Sequence, residues 1–233
     1  MKKIIITQSN YIPWKGYFDG INMVDEMVIF DDMQYTKRDW RNRNQIKTPN
    51  GLQWLSIPVE VKGKYFQKIK DTKVSDKNWP VDHWNIIRQN YNKSKYFSEY
   101  KDIFEPLYLN MNLEYLSEIN FQFIKIICDL LKINIEFKWS SEFELLDEKT
   151  ERLVGICKQE KATDYYSGPA AIAYMNEELF RKNDISVHYF NYSDYPVYNQ
   201  PYGEFSHSVS ILDLLFNEGK DSKRFMKSFN NPK

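Results

Sequence analysis

KKIIITQSNYIPWKGYFDGINMVDEMVIFDD, residues 2–32, decides the fold. "KKIIITQ" is a short β-branched run closed by polar residues, the pattern of a strand buried on both faces. Phe18, Ile21 and Val24 then recur at near-helical spacing, so a helix follows. "EMVIFDD", residues 26–32, is a second strand that ends in two acids. Strand, helix and strand within about thirty residues form a βαβ unit, which implies a parallel pair with a right-handed crossover.

In open α/β sheets, ligands gather beyond the carboxyl ends of the strands, so the first strand-to-helix turn is a privileged place. Here it covers residues 8–17. Gln8, Ser9 and Asn10 end the strand with polar side chains, and Tyr11 follows. Pro13 stiffens the entry, and Gly16 lets the backbone approach a ligand or a neighbouring strand. The helix start presents free N–H groups, and Lys15 adds positive charge beside them. Trp14 and Tyr17 occupy the places where nucleotidylyltransferases of the HxGH type carry two histidines. A Trp and a Tyr can stack or donate a hydrogen bond, but cannot bring imidazolium charge to a phosphate. Both rings could equally cover the core.

"MQYTKRDWRNRNQIKTPNG", residues 33–51, is polar, basic and aromatic with little periodicity, and reads as a long functional loop. Lys37, Arg38, Arg41 and Arg43 lie among Gln34, Tyr35 and Trp40, and arginine forks match phosphate and carboxylate. Asn42 and Asn44 can pair with sugar hydroxyls or amides. Asp31 and Asp32, at the end of the second strand, could orient an amine or act as a base. The plain reading of the same segment is a solvated loop with local ion pairs.

Beyond the "PNG" turn at 49–51, "LQWLSIPVEV" alternates like a strand, and "GKYFQKIKDTKVS" offers another short one. Residues 79–132 are largely helical, with Pro106 expected to kink or split its helix. Helix and strand then alternate again: a strand at 133–141, "TDYYSG", and "ISVHYFNY". The last helix, "SHSVSILDLLFNEG", should be capped by Ser206 or Ser208 and stopped by Gly219, with residues 221–233 frayed. The expected architecture is a single α/β domain over 1–233: a mostly parallel Rossmann-like sheet, flanking helices and a helical insertion.

Later site candidates are few. Ser167 and Gly168 open a helix at a strand end and could hold an anion through backbone N–H groups. Gln200 lies in a Tyr/Pro loop suited to stacking and hydrogen bonding. His207 sits at a loop-to-helix junction, whereas His83 and His188 fall within regular elements.

The 32 basic and 32 acidic residues cancel, so nothing global draws the chain to nucleic acid or acidic lipid. Zero net charge also does little against self-association, which keeps a homo-oligomer open. Cys128 and Cys157 lie in apolar helical patterns and give neither metal spacing nor a disulfide framework. No Walker loop, GxSxG elbow, HExxH, CxxC or GxGxxG occurs, so no metal and no particular cofactor is indicated. No apolar run is long enough for a signal peptide or membrane span, which makes the cytoplasm the expected compartment.

Taken together, "IIITQSNYIPWKGYFDGI", "FDDMQYTKRDWRNRNQIK", "GLQWLSIPV", "YYSGPAAIAYM" and "SVSILDLLFNEG" resemble the WbqC-like family, from the first strand to Gly219. The resemblance implies a part in O-antigen or other surface-polysaccharide biosynthesis, with glycine or a related amino-acyl group transferred to a sugar. It supplies no catalytic residues. The turn-and-loop argument adds a nucleotide-linked sugar as the expected small-molecule partner, with Asp31, Asp32 or His207 as base. Two other readings stand beside it: nucleotidyl transfer through phosphate stabilisation, and a non-catalytic binding protein of the polysaccharide pathway.

Overall fold

The computed structural model describes residues 1–230. Its central sheet holds β1 (Lys3–Thr7), β2 (Glu26–Ile29), β5 (Glu136–Trp139), β6 (Asp164–Ser167) and β7 (Ser186–Tyr189). All four pairings are parallel, in the order β5-β2-β1-β6-β7. The chain therefore grows outward from β1 to one side, then returns to grow on the other. That reversal, between β1 and β6, is a topological switch point, where a crevice opens beyond the strand ends. The Rossmann-like parallel α/β expectation holds.

Period-two alternation explains why β1 and β2 sit centrally. Ile5, Met27 and Ile29 face one core, with helix α1 (Lys15–Asn22) and the helical insertion. Ile4, Ile6, Val28 and Phe30 face the other, with α5 (Lys149–Gln159) and α6 (Glu177–Arg181). A strand apolar at every position is needed when both faces are covered.

Between β2 and β5 the chain departs from the central sheet. The segment expected as one long loop contains β3 (Arg43–Thr48), paired antiparallel with β4 (Gly51–Ser56) across the Pro49–Asn50 turn. Residues 63–75 form no named strand; they carry a short 3-10 turn at Ile69–Asp71 and isolated bridges. Helices α2 (Trp79–Tyr91), α3 (Phe97–Leu109) and α4 (Leu116–Leu130) follow. Pro106 does not split α3: it lies in the last turn, and Asn110 N–H still reaches the Pro106 carbonyl at 3.0 Å. Aromatic rings fill this insertion, with Trp84 stacked on Phe97 and Tyr108 at 5.9 Å.

The end of the chain also differs from expectation. Helix α7 (Ile211–Glu218) is capped by Ser210, whose Oγ accepts from Leu212 N–H, not by Ser206 or Ser208. Gly219 ends it at φ +56°, and a Cβ there would lie 2.5 Å from the Tyr96 ring. The tail is not frayed through Asn230. A 3-10 segment (Gly219–Phe225) leads into α8 (Lys227–Asn230), whose first amides, Lys227 and Ser228, donate to the buried Asp19 carboxylate at 2.9 and 2.8 Å. Residues 231–233 of the expected frayed stretch lie outside the described residues.

Candidate functional site

The turn after β1 and the basic loop after β2 meet. Tyr11 N–H donates to the Trp40 carbonyl at 3.1 Å. The Arg41 guanidinium donates to Asn10 Oδ1 and, at 2.5 Å, to Gln8 Oε1. Asn44 Nδ2 donates to the Ile12 and Tyr11 carbonyls at 2.9 and 3.2 Å. This clamp holds Ile12 at φ +37°, a left-handed conformation that a β-branched residue adopts only under roughly 1–3 kcal/mol of strain. Such strain persists where surrounding bonds over-determine the backbone, and it clusters at ligand sites.

Beneath the clamp lies a buried polar knot. Asp31 accepts from Ser9 N–H at 2.8 Å, from Ser9 Oγ at 2.6 Å and from Ser117 Oγ. Asn120 Nδ2 bridges Ser9 Oγ and the Arg41 carbonyl at 3.0 and 2.8 Å. Burial raises the Asp31 pKa, while the serine hydroxyls, the Ser9 amide and nearby Arg41 pull it back. Asp32 is held below its ordinary value: the Lys70 and Lys68 ammonium groups, at 2.7 and 3.0 Å, and Ser140 Oγ outweigh its desolvation. Neither acid lines the His207 cavity described next.

Above the clamp is a cavity of about 320 Å³, walled by Asn10, Pro13, Trp14, Trp40, Asn44, Tyr192, His207 and Ser208. The Trp14 indole meets Tyr192 and Tyr195 edge-on, at 5.2 and 5.5 Å. Trp40 is 43% exposed, although flanked by Trp54 at 5.3 Å. Arg43 lays its guanidinium 4.0 Å from the Trp54 ring centre. His207 is half-buried, with the Phe205 ring edge-on at 4.6 Å, and its Nδ1 is shut off from solvent without a hydrogen-bond partner. Burial, helped by the nearby Lys15 ammonium, lowers its pKa below the usual imidazole value.

The other expected residues divide sharply. Tyr11 is fully buried, its hydroxyl between His83 Nδ1 at 2.9 Å and Tyr108 Oη at 2.7 Å. Lys15 is buried too. Its Nζ donates to the Pro196 carbonyl at 2.8 Å and lies 5.2 Å from the Tyr195 and Tyr198 ring centres; desolvation lowers its pKa to about 8. Gly16 serves Trp14: a Cβ would lie 2.2 Å from the indole. Tyr17 donates to the Gln8 carbonyl at 3.0 Å. Tyr35 is buried, Gln34 donates to the Tyr65 carbonyl and Asn42 to the Ile57 carbonyl. Gln200 is fully engaged with Lys47, Ser206 and the buried Asp213. Lys37 and Arg38 are exposed on the outer loop. Ser167 and Gly168 line a second cavity on the α5 side of the sheet, which Gln8 also borders.

Neither Tyr192 nor Ser208 is a site candidate in the sequence, where Ser208 reads only as a helix cap. Tyr192 follows β7 closely, and position beyond a strand end was the available signal. Among the described residues no three His, Cys, Asp or Glu side chains cluster as metal ligands. Both cysteines are buried, and burial pushes the Cys157 thiol up to about 12. No helix of the described residues is long and apolar enough to cross a membrane.

The WbqC-like protein family model matches residues 8–225, which contain the clamp, the knot and the cavity. The chain belongs to the WbqC-like family. An uncharacterized protein of Mycobacterium tuberculosis is 48% identical to this WbqC-like chain over 227 residues, covering 97% of this chain and 98% of the relative. No solved structure matches it.

Proposed function

We propose that this WbqC-like protein is a cytoplasmic transferase of surface-polysaccharide biosynthesis, adding an acyl or amino-acyl, glycyl-like group to the amine of a nucleotide-linked amino sugar. The observation that carries the reading is His207 in the wall of an aromatic, polar-edged cavity beside the switch point. Trp14 and Trp40 offer the faces and edges that sugar rings pack against. Asn10 has its Oδ1 fixed by Arg41, which leaves its amide N–H groups for a hydroxyl. Lys37 and Arg38, exposed on the loop that carries Trp40, would serve the phosphates of such a ligand.

In the proposed step the sugar amine attacks the donor carbonyl carbon. The C–N bond forms, the bond to the donor's leaving group breaks, and His207 takes the amine proton. A base at hydrogen-bond distance contributes on the order of a hundredfold or more. Asp31 and Asp32 act as positioning residues: the first fixes the turn, and the second is neutralised by two lysines. Nucleotidyl transfer of the HxGH type has less support, because Trp14 lies over Gly16 and Tyr17 is tied to the Gln8 carbonyl.

The test is product formation. Incubation with UDP-linked amino sugars and activated acyl or amino-acyl donors should add one acyl mass to the sugar, read by mass spectrometry, and His207→Ala should slow that addition about a hundredfold. Pyrophosphate release from nucleoside triphosphate without acylated product would select nucleotidyl transfer. Sugar binding without any product would select a binding protein.

A further inference from the structure

The second cavity, about 340 Å³, opens at the carboxyl ends of β1 and β6, across the sheet from the His207 cavity. Its basic wall is the first turn of α5. There Arg152 is fixed by protein carbonyls: Nε donates to Leu146 O at 2.6 Å and Nη2 to Asp147 O at 2.8 Å. The third nitrogen meets only the Met33 sulfur, at 3.5 Å. Among the described residues, no carboxylate lies within ion-pair distance of this guanidinium or of Lys149, one helical turn away. The nearby Glu148 directs its carboxylate at the helix, accepting from Glu151 N–H at 2.7 Å. A guanidinium locked in place but left without a counter-charge, at a switch point, is suited to an anion. Tyr174, 65% exposed on the same cavity, adds a flat ring, and Ser167 a hydroxyl.

We propose that this cavity is a nucleotide site, with Arg152 and Lys149 on the phosphates and Tyr174 on the base. As the pocket of an activated donor it rests on the transfer reading above; as a nucleotide site it does not. Two ligands would then approach the Gln8–Arg41–Asn10 bridge from opposite sides.

Calorimetry of the full chain with ADP, UDP and inorganic phosphate tests this. At least one nucleotide binds, and the tighter of the two names the source. Lys149→Glu, an exposed change that spares the fold, weakens that nucleotide at least tenfold. Tyr174→Ala weakens it at least threefold and leaves phosphate within twofold. His207→Ala leaves it within twofold, so loss of transfer and loss of this site are separately visible. No binding of either nucleotide, or the same affinity in Lys149→Glu, overturns the proposal.

Discussion

The Asp31 knot and the His207 cavity lie on two sides of the same turn, yet they use polar groups in opposite ways. Within the knot, Ser9, Ser117, Asp31 and the Asn120 Nδ2 turn their hydrogen bonds on one another and on the backbone, and the Asn120 Oδ1 is enclosed with no partner. In the cavity, His207 is only half-buried and Trp40 stays exposed at 43%. The difference separates residues that build a site from residues that have capacity left for a ligand. It also reassigns chemistry: two carboxylates at a strand end are natural base candidates, but here one is enclosed and the other is matched by lysines.

The contrast can be broken first at its closed end. Asp31→Ala orphans a buried N–H and two hydroxyls, and should cost about 3 kcal/mol or more in urea denaturation. Little loss would mean the knot does not hold the turn. The two histidines sharpen the contrast next. Burial lowers the His83 pKa to about 4, from 6.5, so the unfolded chain takes up the proton first. Stability then falls as pH drops from about 6.5 to about 4, by roughly 3 kcal/mol in all. His83→Gln should flatten that part of the curve relative to the wild type. His207→Ala should instead leave the urea midpoint nearly unchanged and cut transfer about a hundredfold. With its pKa below the ordinary 6.5, the acid limb of the wild-type rate profile should fall below that pH. The smallest effect belongs to the clamp: Asn44→Ala should lose about 1–2 kcal/mol, since two turn carbonyls lose their donor.

How much of this the sequence disclosed follows from where each force resides. The βαβ start was legible because burial on both sheet faces demands an unbroken apolar run, as in Ile4, Ile5 and Ile6. Strand β3 was not, because "RNQIKT" carries almost no apolar period. Two of its buried polar side chains reach partners far along the chain: Asn44 the turn after β1, and Lys47 Gln200 and the Glu204 carbonyl. The pairing of Arg41 with Gln8 and Asn10 could be anticipated from residue type and strand-end position, but not its geometry. Gly16 misled, since its missing side chain makes room for Trp14 and not for a ligand. Arg152 gave no signal at all; its fork is set by carbonyls that only the folded loop supplies.

The account depends most on the cavity under Trp40 being where the sugar ligand sits. Calorimetric titration of a UDP-linked amino sugar into wild type and Trp40→Ala asks this directly, because the exposed indole can be removed without touching the core. A loss of about tenfold in affinity, some 1.4 kcal/mol, with an unchanged melting temperature is the predicted result. Equal affinity in the two proteins would contradict it.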